Sequence, residues 1–320
     1  MRTPFRFVSK GSLALLLAVS VGAAGCGRYS WGSLSANKSI KEAHELYKAS
    51  RWKEAAEKYA AAAASNPGME GAYFFQANCY DNLYKPARQG EAENDAYIQK
   101  AIALYKEAAE KEPNPLLRKR AMEYLVADYG PDKLNQPDQA EPVVKQMIQM
   151  DPSEHTNYFA LSQIYENAGR YDEAEQALLK AKELKPKDPT VYSTISAFYN
   201  RQGEFDKTIE ALNTAADLQP ENPQGYQLVA VFYWEKAFKD KRLTAPAQKE
   251  YIIKGIEATD KALALNKDYV DALTYKNILL RMEANLEKDR DKQQNLIKQA
   301  DDLRNRAVEL GKKKSSAGAQ

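Results

Sequence analysis

The chain has 320 residues, with 46 Lys and Arg against 44 Asp and Glu, giving a formal net charge of +2. Arg2, Arg6 and Lys10 are the only charges among the first 25 residues, and beyond them 43 basic residues face 44 acidic ones. A chain this close to neutral has no electrostatic footprint for a phosphate backbone, so nucleic acid is not an expected partner. With 28% charged residues and only 15 Gly and 14 Pro, it is neither low-complexity nor disordered overall.

The amino terminus reads in three parts. A basic start is followed by an apolar run from Leu13 to Gly22, then the small residues Ala23-Ala24-Gly25, then Cys26. That order is the n-region, h-region and cleavage site of a secretory signal. The apolar run falls short of the roughly 20 residues that a permanent membrane-spanning helix needs, although a retained anchor helix is the competing reading. Ala-Ala-Gly-Cys resembles the lipobox of bacterial lipoproteins, with Ala23 standing where Leu is usual. The resemblance implies cleavage before Cys26, acylation of Cys26, and residues 1–25 as a lipoprotein signal peptide. Gly27 in place of Asp further implies sorting to the outer membrane, facing the periplasm. Residues 26–35 are then expected to be a lipidated tether, with the membrane contacted only through lipid. If Cys26 carries lipid, Cys79 has no partner for a disulfide, and its apolar helical setting marks a buried, inert thiol.

Pro152, Pro186 and Pro220 lie 34 residues apart. Two consecutive windows of that length repeat in register. From 155 to 188 the slots hold Tyr158, Leu161, Ser162, Tyr165, Gly169, Tyr171, Ala174, Leu178, Ala181 and Pro186. From 189 to 222 they hold Tyr192, Ile195, Ser196, Tyr199, Gly203, Phe205, Thr208, Leu212, Ala215 and Pro220. On these residues the sequence resembles the tetratricopeptide-repeat family, whose period is 34 residues. The resemblance implies an all-α solenoid, a right-handed superhelix of about six to seven helix pairs over residues 36–311. Apolar slots at helical spacing form one packed face of the first helix. The small slots (Ala43, Ala77, Ser162, Ser196 and Ala230 on first helices; Ala55, Ala62, Ala101, Ala108, Ala174 and Ala181 on second helices) allow close helix approach. Gly169 and Gly203 sit where a left-handed cap is needed, and the proline that closes each window ends its second helix.

The frame extends outward. Residues 36–69 fit directly, and Ser39-Ile-Lys-Glu42 has the pattern of a capping box. The second repeat carries 12 extra residues between Tyr80 and Ala101, the third carries five around Pro131–Pro137, and the sixth about 13 around Lys239–Gln248. These predict long loops near 82–98, 131–137 and 236–249, all on one rim, with Tyr84, Arg88, Phe238 and Arg242 as candidate anchors; drift in unpacked turns is the alternative reading. A seventh helix pair is expected over 269–286 and 292–310, followed by a disordered tail, residues 312–320.

No catalytic constellation is present. His44 and His155 are far apart and lack the paired spacing of a metal site. Ser35-Ala-Asn-Lys38 matches Ser-x-x-Lys, but the companion motifs of penicillin-binding enzymes are missing. No cofactor, small-molecule substrate or enzymatic activity is expected. In a stack of helix pairs the first helices line a concave face. Four slots per repeat share that face and give His44, Tyr47, Phe74, Asn78, Phe159, Gln163, Glu166, Asn200, Gln227, Trp234 and Arg281 as a candidate groove for protein or peptide partners. Aromatic anchors mixed with amides suit an extended peptide, whereas the same aromatics can equally plug the packing between neighbouring first helices. The expected function is a lipid-anchored adaptor of a cell-envelope assembly, such as outer-membrane-protein, pilus-secretin or polysaccharide-export machinery. The alternative is a regulatory accessory subunit of an envelope enzyme such as a peptidoglycan hydrolase or synthase.

Overall fold

The computed structural model describes residues 31–317; the expected signal segment and Cys26 lie outside the described residues. The described residues form fourteen α-helices and no strand. The first pair is α1 (Trp31–Lys48) with α2 (Trp52–Ser65), and the second is α3 (Ala72–Leu83) with α4 (Ala92–Lys111). Next in order come α5 (Pro115–Tyr129) and α6 (Pro137–Met150). Four packed pairs follow: α7 (His155–Asn167) with α8 (Tyr171–Leu184), α9 (Pro189–Arg201) with α10 (Phe205–Asp217), α11 (Pro223–Lys239) with α12 (Ala245–Leu265), and α13 (Val270–Leu286) with α14 (Arg290–Ala317). The chain divides into two compact units, one through Met147 and one from Ile148. In the first, α3 also approaches α5, and in the second α11 approaches α13, so first helices neighbour first helices.

The repeat slots explain these contacts. Ala55 and Ala62, Ala101 and Ala108, and Ala174 and Ala181 are all fully buried. The same seven-residue spacing recurs in α12 as Gly255 and Ala262 and in α14 as Ala300 and Ala307. At Gly255 a Cβ would lie 2.9 Å from Leu279 Cδ1, so α12 and α13 meet where no side chain fits. Gly169 and Gly203 take φ of +73° and +76°, the left-handed turn expected of them. The same position of the first repeat is Ser50, which adopts φ +57° without being glycine. Pro67, Pro113, Pro152 and Pro186 each stand two residues beyond the end of a second helix.

Helix starts are capped from several sources. Asn114, Asp188, Asn222 and Thr244 accept from the backbone N–H groups of their own first turns. At α3 the cap residue is Gly71, and the fully buried Glu112 replaces the missing side chain, accepting from Gly71 N at 2.7 Å and Phe74 N at 3.4 Å.

Three expectations are corrected. The helix α1 begins at Trp31, so residues 31–35 are helical, not tether, and the Ser39 capping pattern falls inside the helix, where no cap is needed. Likewise α14 continues through Ala317, so 312–317, expected in the tail, extend the last helix. The insertions of repeats two and six lengthen helices instead of looping out: α4 has 20 residues and α12 has 21, against 14 for α2. Only residues 84–91, which include a single 3-10 turn at Pro86–Arg88, and residues 130–136 and 240–244 remain outside α-helix in these connections. Ala92–Lys100 and Ala245–Lys254 are rich in helix formers, so extending a helix satisfies their backbone groups better than an open loop.

Candidate partner-binding surfaces

In the first unit the predicted groove residues meet one another. The Tyr47 hydroxyl donates to Asn78 Oδ1 at 2.5 Å, and Asn78 Nδ2 donates to the Tyr105 hydroxyl at 2.9 Å. Asn82 Nδ2 donates to the same Asn78 oxygen at 2.9 Å. His44 Nδ1 lies 2.7 Å from the Tyr59 hydroxyl, and its ring packs edge-on against Tyr59 and Phe75. Burial holds the His44 imidazolium below its ordinary range. Phe74 is buried against Phe75, Tyr105 and Tyr124. Phe74 and Asn78 are therefore interior residues: the aromatic plugs the packing, and the amide is bonded by Tyr47, Asn82 and Tyr105.

The second unit leaves more side chains open. Gln163 is exposed and bonds only to Asn167 within its own helix, and Asn200 is exposed one repeat on. Phe159 is half-buried with its ring edge-on to His155. Glu166 is held across repeats by Arg201, whose Nε and Nη2 donate at 2.7 and 2.8 Å. Gln227 is half-buried on α11. Trp234 stacks on Phe238 at 5.6 Å with an 11° interplanar angle and meets the Tyr275 edge at 5.5 Å. Arg281 donates to Asn277 at 3.0 Å and to Asp301 of α14 at 2.5 Å, so it ties the last pair together.

The candidate rim anchors separate in the same way. Tyr84 is buried, whereas Arg88 is exposed and paired with Glu91 at 3.0 Å. Phe238 is half exposed and Arg242 is exposed, held by Asp240 at 3.0 and 3.1 Å.

One polar cluster went unnoticed in the sequence. Lys133, in the turn between α5 and α6, donates to Asp128 Oδ1 at 2.7 Å and also to Asp81 of α3. Asp128 is fully buried, and burial, reinforced by the Asp81 charge, pushes its carboxyl up to about 7. Burial opposes the Lys133 ammonium, but its bonds to both carboxylates raise it on balance. No sequence signal links positions 81, 128 and 133; the repeat stacking brings them together. Cys79 is buried and free, its thiol pushed up to about 12 by burial. Among the described residues no group of three His, Cys, Asp or Glu side chains is placed to hold a metal ion, and no helix is long and apolar enough to cross a membrane.

Residues 133–198 match the family model for the tetratricopeptide repeat. No curated protein matches the chain. Among solved structures, it is similar to the C-terminal part of a tetratricopeptide-repeat-containing protein from Cytophaga hutchinsonii. That match has 19% identity and a TM-score of 0.53, over 85% of this chain and 98% of that one. A tetratricopeptide repeat protein from Parabacteroides merdae matches at 13% identity and a TM-score of 0.46, over 83% and 99% of the two chains. YrrB, described as a protein of this repeat class with an unusual peptide-binding site, matches at 18% identity and a TM-score of 0.40, over 60% and 93%. The fold is an all-α array of tetratricopeptide-type helix pairs, and its middle carries the sequence signature of that repeat.

Proposed function

We propose that the chain is a scaffold that binds other proteins or peptides through the first helices of its second unit, tethered to a bacterial outer membrane by lipid on Cys26. The observation that carries this reading is the row of open amides and partly exposed aromatics on α7, α9 and α11: Phe159, Gln163, Asn200, Gln227 and Trp234. Amides supply both donors and acceptors for an extended backbone, and rings supply anchors at low entropic cost. The chain works by binding, within an assembly of the cell envelope, and not by catalysis.

The test has two arms. Cys26→Ser should block precursor cleavage and abolish labelling by acyl chains; continued labelling contradicts the anchor. Capture from detergent-solubilised membranes should recover outer-membrane barrel, secretin or export components. A copurified peptidoglycan hydrolase or synthase would instead favour the accessory-subunit role, and capture of nothing above a tag-only control contradicts the scaffold.

A further inference from the structure

The end of α11 and the turn after it combine an aromatic platform with uncompensated positive charge. Trp234 forms a half-buried floor, with Phe238 stacked beside it and the Tyr275 edge against it. Phe238 keeps 50% of its surface exposed, the largest exposure of any aromatic ring among the large exposed hydrophobic residues described. The Trp234 indole N–H finds no acceptor among the described residues.

The charges around this platform do not balance. Glu235 takes Lys239 at 2.7 Å. Asp240 alone serves two cations, Lys236 at 3.0 Å and Arg242 at 3.0 Å. Lys241 meets no carboxylate within ion-pair distance among the described residues; its ammonium sits 4.8 Å over the Phe238 ring and donates to the Phe238 carbonyl at 2.7 Å. Lys236 and Lys239 suit the negative end of the α11 dipole, but Lys241 and Arg242 lie beyond that end and are not explained by it. The turn itself is fixed: Arg242 N donates to Asp240 at 3.1 Å, and Gln248 Nε2 closes on the Ala237 carbonyl at 2.9 Å. A fixed platform does not have to be ordered on binding.

We propose that Trp234, Phe238 and Tyr275, with Lys241 and Arg242 at their edge, form a docking site for an acidic peptide segment carrying an apolar side chain. The apolar side chain lies on the rings, and the flanking carboxylates satisfy the cations that Asp240 leaves unbalanced. A peptide fits better than a lipid surface, because the floor is recessed and a single ring projects, whereas membrane insertion needs several projecting apolar residues. This deepens the scaffold reading and rests on it.

The chain has three tryptophans, so Trp31→Phe with Trp52→Phe leaves Trp234 as the sole indole reporter. Calorimetry on the unsubstituted chain controls for any effect of those changes. The probes are a blocked Glu-Asp-Leu-Phe-Asp-Glu peptide, its Lys-Lys-Leu-Phe-Lys-Lys counterpart, and phosphatidylglycerol vesicles. The acidic peptide should change Trp234 emission saturably and bind about tenfold more tightly than the basic one, an advantage that salt should reduce. Lys241→Glu combined with Arg242→Glu should weaken it by about tenfold at unchanged melting temperature. Equal affinity for both peptides, no saturable binding of the acidic one, or a response to vesicles alone overturns the proposal, the last by identifying a membrane-contacting edge. If envelope proteins are captured equally by the double variant, this site is wrong and the scaffold reading stands.

Discussion

The Tyr47 hydroxyl and the Asn78 side-chain oxygen, on the first helices of consecutive repeats, are hydrogen-bonded at 2.5 Å. The bond links α1 to α3 and turns two recognition candidates into one structural joint. Tyr47→Phe removes the donor, but Asn82 still serves the Asn78 oxygen, so the buried amide is not orphaned. The expected loss is about 1 kcal/mol, visible as a lower denaturation midpoint of the first unit. Partner capture should be unaffected, and a loss of capture at unchanged stability would return Tyr47 to the binding surface.

Ser50 holds the left-handed turn that Gly169 and Gly203 hold in later repeats. For an L-residue that conformation costs about 1–2 kcal/mol. Ser50→Gly should therefore stabilise the first helix pair by about 0.5–1 kcal/mol after glycine's larger unfolded-state entropy is counted. Gly169→Ala should lose a similar amount. Paired thermal melts check both signs, and a destabilising Ser50→Gly would mean the serine side chain contributes more than the strain it imposes.

Gly255 and Gly311 are both helical glycines and should respond oppositely to alanine. Helix propensity favours alanine by about 1 kcal/mol at each. At Gly311 nothing lies within 4 Å of the added Cβ, so α14 should gain stability. At Gly255 the new atom meets Leu279, which is fully buried and cannot withdraw. Overpacking costs about 1–3 kcal/mol, so Gly255→Ala should be destabilising. Denaturant midpoints of the two variants decide it; a gain at both positions would contradict the close approach of α12 and α13.

Much of this architecture was legible in the sequence because it rests on local signals. The prolines, the small residues seven apart and the left-handed glycines each act within a few residues of themselves. What was not legible depends on which helix lies beside which. The capping of α3 by Glu112 needs α4 to end beside Gly71, and the Asp81–Lys133–Asp128 cluster needs three separate segments to meet. Spacing along the first helices does not reveal that Phe74 and Asn78 are covered by Tyr105 while Gln163 and Asn200 stay open. The insertions were located by counting, and their helical state follows from composition that the counting ignored.

The buried Asp128 predicts an unusual pH response of the first unit. Its folded-state value of about 7 lies above the value of about 3.9 for an unfolded chain, so the folded state binds the extra proton. The stability it contributes is present at acid pH and is lost as pH rises through about 7. The groups facing it are Asp81 from α3, Tyr105 from α4, Lys133 from the turn, and Tyr84. The first unit should melt higher at pH 5 than at pH 8, and Asp128→Asn should remove most of that difference. Lys133→Met leaves two carboxylates facing each other without a cation, and at pH 8 it should cost about 3–5 kcal/mol. A first unit that melts identically at both pH values would place the Asp128 carboxyl in its ordinary range.

The scaffold account is tested most directly by site-specific photo-crosslinking in cells. A benzophenone side chain is placed at Gln163 or Asn200 on first helices, and at Glu183 or Glu257 on second helices; all four positions are exposed. Inner-face binding predicts discrete protein adducts from Gln163 and Asn200 and none from Glu183 or Glu257. Adducts confined to Glu183 and Glu257 would contradict the account and place the partner on the outer helices.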